Sequence, residues 1–308
     1  MSRIKEFPIM FFAVIMGFGG LSVAVLKLGF DENVFLALRA LSTLLFALIC
    51  VLYAIKIVAF NAEFKKELSH PIRLNVFAAF SISLLLLAMI YEGSVAAWLF
   101  YAGVIAQSYI TLFVLRAWVE RDINITHSNP AWFIPVVGNL LVPIASPELA
   151  PWLWFYFGFG LFFYMALFSV LFYRLIFHPQ LPSKFMPTLF IFIAPPSIAF
   201  LNFVRLSGFG AFAYILLSVA VFFAVLLVFM WRNFIGLKFF LSWWAFSFPL
   251  AALCVALHKA GELSGDYSFK LAAYVVFALL CLVVIVNSFF TLRAIVNKQI
   301  CVAEEGAR

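Results

Sequence analysis

No carboxylate stands in the middle of any long apolar run in this chain, and such runs recur from near its first residue to near its last. An apolar segment of roughly 20 residues crosses a bilayer as a helix. In lipid only a helix or a closed barrel satisfies every backbone group. Ten runs read as helical spans: 8–29, 33–58, 74–91, 94–118, 131–147, 151–173, 188–205, 210–231, 239–258 and 268–293. Apolar residues make up 67% of the 308 and charged residues 11%, against roughly 25% charged in a soluble domain. A water-soluble fold of this size cannot hide that much apolar surface. The expectation is an all-α integral membrane protein, a single transmembrane domain over 1–308. Arg3 and Lys5 precede the first run as they would in a signal peptide. That run is too long for one and other spans follow at once, so it is read as the first span.

The net charge of +7 would suggest nucleic acid as a partner of a soluble chain. Here the basic residues sit singly at span ends, where they set orientation, and no nucleic-acid partner is expected. With the N-terminus on one side, 15 of the 20 Lys and Arg fall on that side, Arg308 among them. Lys27, Arg39, Arg205, Lys259 and Lys270 fall on the other. Both termini are therefore expected in the cytoplasm, with the chain in the inner (plasma) membrane. Cys50, Cys254, Cys281 and Cys301 are far apart and form no CxxC, so neither a disulfide framework nor a zinc site is expected.

Lys56, Arg116, Arg174, Arg232 and Arg293 each close an even-numbered span, at spacings of 60, 58, 58 and 61. A positive anchor at each even span explains the charges. The near-constant period points further, to five repeated two-helix hairpins that can close into a ring. Breakers concentrate in the odd spans: Gly17, Gly19 and Gly20, then Pro135, Gly138 and Pro143, then Pro195 and Pro196, then Pro249. A proline frees a carbonyl and kinks its helix. In lipid that is tolerated only against protein or a water-filled cavity. The odd helices are therefore expected to form an inner ring lining a central pore, with the even ones outside.

No catalytic motif is present, no cofactor is implied, and an enzyme is not expected. His70, His127 and His178 lie in connections and His258 at a span end. Proton-coupled carriers usually keep an ionisable relay inside the membrane, and cation channels favour carboxylate rings; the spans offer neither. The inner spans supply broken backbone and small polar groups instead: Ser81, Ser83, Asn139, Asn202, Ser242 and Ser247. Half-helices that start within the membrane suit an anion. Ordinary hydrogen bonding between helices accounts for any one of these groups equally well. In Trp243-Trp-Ala-Phe-Ser-Phe-Pro249, Phe248 stands one residue before a kink. Its ring either plugs a bore bordered by Gly17, Gly20, Gly138 and Ser247 or packs as one of 41 Phe in the chain.

Phe7-Pro8, Phe11-Phe12-Ala13 and Met16-Gly17 through Gly20-Leu21 resemble the start of the tellurite-resistance/dicarboxylate transporter family. That family holds bacterial TehA-type proteins, the slow anion channel of plant guard cells, yeast malate uptake proteins and fungal sulfite exporters. The run from Thr126 to Asn139 is similar to bacterial members in particular, and Ala194-Pro195-Pro196 and Trp243 to Leu250 match as well. The resemblance implies ten helices as five hairpins, odd helices lining a pore, and a homotrimer with one pore per protomer. It also implies an anion pathway occluded by a phenylalanine that falls on Phe248. Gly17 and Ser81 stand where some members carry kinking prolines. The expected function is a channel, or channel-like exporter, for a small anion such as chloride or nitrate. The rival is a coupled carrier of C4-dicarboxylates, sulfite or tellurite oxyanions.

Overall fold

The computed structural model describes residues 2–301; Arg308, counted above on the cytoplasmic side, lies outside them. Among the described residues all regular secondary structure is helical. Helix one is Ile9–Lys27, two Glu32–Ala59, three Arg73–Ala88, four Gly93–Glu120 and five Pro130–Ala145. Helix six is Leu153–Phe177, seven Ser183–Ser207, eight Ala211–Phe229, nine Leu241–Ser264 and ten Tyr267–Val296.

Eight of these are long and apolar enough to cross a membrane. Helix three reaches that standard only when joined to the connecting helix Asn61–Ser69 across a 104° bend, and helix five is shorter. At 1.5 Å per residue, positions 130–145 rise about 24 Å, less than the roughly 30 Å of hydrocarbon. The expectation of ten full spans is corrected to this extent. The physical reason is enclosure. Residues Ala78 to Ala88 of helix three and Pro135 to Val142 of helix five are buried almost without a break. A helix walled by protein has no need to match the bilayer.

The even helices are unbroken α-helices of 19 to 30 residues, with no interior proline. Helices two and ten start on aspartate caps: Asp31 accepts from the Asn33 and Val34 amides, and Asp266 from Ser268. Helices seven and nine end on Gly208 (φ 95°) and Gly265 (φ 74°), a left-handed backbone that lets each turn straight into its partner. Burial divides by parity. Helices one, seven and nine are buried over most of their length, the even helices over a third or less.

The odd helices are wound differently. Ile9–Phe11, Pro130–Phe133, Ser183–Ile193 and Leu241–Phe246 are 3₁₀ turns that run directly into α-helix. Pro135, Pro195, Pro196 and Pro249 all lie within the first three residues of the α segments, where a missing N–H costs nothing. Pro143 is interior to its α segment, and Pro187 lies inside the 3₁₀ segment of helix seven. The joints leave fewer free amides than the kink reading expects. Ile134 donates to Ala131 O, Ala194 to Ile191 O and Ser247 to Trp244 O, so the 3₁₀ turns satisfy the amides at the joint. Helix one has its joint at Phe12 without a proline, and helix three is interrupted at Phe77.

Each odd helix packs on the even helix that follows it. The odd helices also pack on one another in sequence, one on three, three on five, five on seven and seven on nine, and nine packs back on one. The contacts between inner helices therefore form a closed circuit.

Candidate functional site

One pocket draws on all five odd helices and on no even helix. Helix one gives Met10, Ala13 and Met16; three gives Val76 and Ile82; five gives Ala131, Ile134 and Val137. Helix seven gives Thr188, Ile191 and Ala194, and helix nine gives Leu241, Ser242, Trp244, Ala245, Phe248 and Pro249. In helices one, five, seven and nine these residues come from the 3₁₀ turns and the first five α residues, while helix three, which has no 3₁₀ segment, gives Val76 and the mid-helix Ile82. The pocket is thus a vestibule at the N-terminal ends of helices one, five, seven and nine, with helix three beside it.

Its wall is apolar. The two hydroxyls that reach it are spent on backbone: Thr188 donates to Phe185 O at 2.6 Å, and Ser242 donates to Lys184 O. No charged side chain lines it. Such a wall offers no acid or base. What it can do is exclude water at a constriction.

Phe248 lies at this wall and is buried. Its ring Cδ2 is 3.7 Å from where a Cβ on Gly20 would sit, so helix one meets the ring with bare backbone. Phe246, two residues earlier, packs into an aromatic cluster with Phe190 at 4.7 Å, Phe234 and Trp243. Trp244 is anchored from outside the circuit. Its Nε1 donates to Thr291 Oγ1 at 3.0 Å, while Asn287 donates to Trp243 O at 3.0 Å. Helix ten thereby holds the 3₁₀ turn that precedes Phe248. Gly17 makes room for the indole, since a Cβ there would lie 2.6 Å from Trp244 Cε3. Ser247 closes the turn, donating to Trp244 O at 2.7 Å.

Four other residues expected at the bore are engaged with helix four. Gln107 lies where a Cβ on Gly138 would be, its amide 2.2–2.4 Å from that point. It accepts from Ser81 at 2.6 Å and donates to Pro135 O at 2.6 Å and to Thr111 at 2.9 Å. Asn139 donates to Thr111 at 2.9 Å and to Pro135 O at 2.8 Å. Ser81, Pro135, Gly138 and Asn139 thus meet in a polar knot that ties helices three, four and five. Pro195 and Pro196 are buried just after Ala194 and are not among the pocket's lining; Pro249 is. Asn202 donates to Leu140 O, and Arg205 to Ile144 O and Ser146 O, tying seven to five. Sequence reasoning missed Met10, Gln107 and Thr111. An amide in the middle of an apolar even helix was the available signal for Gln107.

Comparison with known proteins gives a consistent picture. Residues 6–292 match the voltage-dependent anion channel family. An uncharacterized transporter of Methanocaldococcus jannaschii is 28% identical, with 90% of this chain and 91% of that protein aligned. The S-type anion channel SLAH3 of Arabidopsis thaliana is 30% identical over 79% of this chain and 40% of its own length. The guard cell S-type anion channel SLAC1 of that plant is 26% identical over 87% of this chain and 52% of its own.

Proposed function

Since the chain belongs to the voltage-dependent anion channel family, we propose that it passes small inorganic anions such as chloride or nitrate along the axis of its inner helices, held shut by Phe248. It is a multi-pass membrane protein, and its family and relatives support anion channel or transporter activity. The observation that carries the finer reading is the vestibule. It is built from all five odd helices, and its lining includes a buried phenylalanine beside Gly20 and Pro249. A ring there is a hydrophobic plug, and its withdrawal lets water enter.

The test is anion flux in liposomes. Phe248→Ala raises it strongly, because the lost ring opens onto the vestibule and leaves no dry cavity. Phe246→Ala, which loses the aromatic cluster, mainly lowers stability. Phe248→Ala protein that is destabilised and gains no flux would overturn the gate.

The second reading is a coupled carrier; the archaeal relatives' names say transporter, a word that covers it. Dicarboxylate, sulfite and tellurite anions are its candidate substrates. A channel's flux follows the anion gradient and ignores an imposed proton gradient; stoichiometric proton movement decides for the carrier. The reading includes a homotrimer with one path per protomer, supported by the family resemblance and checked by mass measurement in detergent. It also includes both termini in the cytoplasm of an inner membrane, supported by the 15 of 20 basic residues on that side. A reporter on the C-terminus checks the orientation.

A further inference from the structure

Lys56 and Glu67 are each 3% exposed. Lys56 Nζ lies 2.5 Å from Glu67 Oε2, and the same oxygen accepts the Tyr53 hydroxyl at 3.0 Å. Nζ also donates to the Phe7 carbonyl at 2.8 Å, and Glu67 Oε1 accepts the Ile9 amide at 2.9 Å. The pair therefore grips the chain on both sides of Pro8, by one carbonyl and one amide. Met10, the next residue, lines the vestibule, and Ala13 and Met16 follow along helix one. Phe7 stacks on Phe11 at 4.4 Å and carries the grip across the 3₁₀ turn Ile9–Phe11.

Glu67 comes from the connecting helix Asn61–Ser69, bent 104° away from helix three. That helix turns Glu67 inward and leaves Lys65 and Lys66 exposed. A buried ion pair is weak evidence of net stability, since two apolar residues often replace one without loss. Besides each other and Tyr53, the pair bonds the backbone on both sides of Pro8, next to a residue that lines the vestibule, and position is what those bonds supply.

We propose that Lys56 and Glu67 are positioning residues for the vestibule wall: they strap the connecting helix to the start of helix one and hold Met10 in that wall. The proposal rests on the vestibule being part of the anion path. Its first test needs no conduction. Met10→Cys is labelled with a membrane-impermeant maleimide, over the background from the four native cysteines. Lys56→Met/Glu67→Leu keeps the site filled but drops the grip on Phe7 O and the Ile9 amide. Losing hydrogen bonds to charged groups raises the open population about tenfold. Labelling about that much faster, in protein that melts near its parent, supports the strap; an unchanged rate in such protein overturns it.

Where the double variant does not accumulate, Lys56→Met/Glu67→Gln is labelled instead. It leaves no unpaired buried charge and drops the grip on Phe7 O, so a faster rate supports the proposal and an unchanged rate overturns it. The second test adds Lys56→Met/Glu67→Leu to Phe248→Ala and measures anion flux. A shifted flux supports the positioning role, and flux equal to that of Phe248→Ala alone overturns it. Should Phe248→Ala not conduct, the gate has failed and labelling alone decides the strap.

Discussion

Gly17→Ala adds one methyl between helices one and nine, at a place where the structure leaves no room. The new Cβ would lie 2.6 Å from Trp244 Cε3, 2.7 Å from its Cζ3 and 2.7 Å from Ser247 Oγ. Helix propensity favours the change by about 1 kcal/mol. Overpacking opposes it by about 1–3 kcal/mol. The neighbours cannot yield cheaply, because Trp244 is 1% exposed and hydrogen-bonded to Thr291, and Ser247 is bonded to Trp244 O. Moving the indole breaks the Thr291 bond, a further loss of about 1 kcal/mol. The balance is a destabilisation of about 1–3 kcal/mol. Gly158→Ala is the control, since a Cβ on Gly158 in helix six meets nothing within 4 Å. It carries the propensity term alone and is stabilising by up to about 1 kcal/mol. The assay is thermal unfolding of the two variants in detergent, followed by tryptophan emission. Equal melting temperatures with unchanged emission would refute the close packing of helix one on Trp244.

Gln107→Leu removes three hydrogen bonds at the centre of the polar knot and lowers stability by about 1–3 kcal/mol, whereas Tyr109→Leu, at an exposed site on the same helix, leaves the melting temperature unchanged. Thr291→Val leaves the Trp244 indole N–H unpaired in a buried site at a cost of about 1–3 kcal/mol, read as a lower melting temperature with altered tryptophan emission. Thr291→Ser keeps the hydroxyl and restores both.

The parity of the helices was legible because its cause is local. No even helix holds an interior proline, while Pro135, Pro143, Pro195, Pro196 and Pro249 stand in odd ones, and a freed carbonyl in lipid needs protein or water beside it. Helix three has neither proline nor glycine and is buried all the same, so its place was not legible this way. What the prolines do was not legible. A proline inside an α-helix and one in the first turn after a 3₁₀ segment look the same in a sequence. The difference at Pro135, Pro195 and Pro249 lies in the winding of the residues before them, and packing decides that winding. Direction was hidden for the same kind of reason. Gly138 signals room, yet the room is taken by Gln107 from helix four. Glu67 reads as a loop carboxylate because its burial depends on the 104° bend that brings it under Lys56 and Ile9. Composition and period carry the architecture; contacts across a bend or between hairpins need the fold.

The apolar character of the vestibule bears on how an anion could use it. An ion stripped of water in such a place pays a desolvation cost that only partners can offset. The wall supplies few, since Thr188 and Ser242 donate to backbone and the amides at the helix joints are bonded within the 3₁₀ turns. On the proposed reading, this half of the path with Phe248 in place is therefore a barrier, whatever the anion. On the proposed reading, moving the ring does not create a binding site. It admits water, and the anion crosses with part of its shell. A lining of this kind distinguishes anions by what their water costs to remove, because it holds no fixed charge to favour one over another. On the same reading the exposed basic residues near the helix ends raise the local anion concentration without holding an ion inside, whereas Lys56 is buried and paired with Glu67.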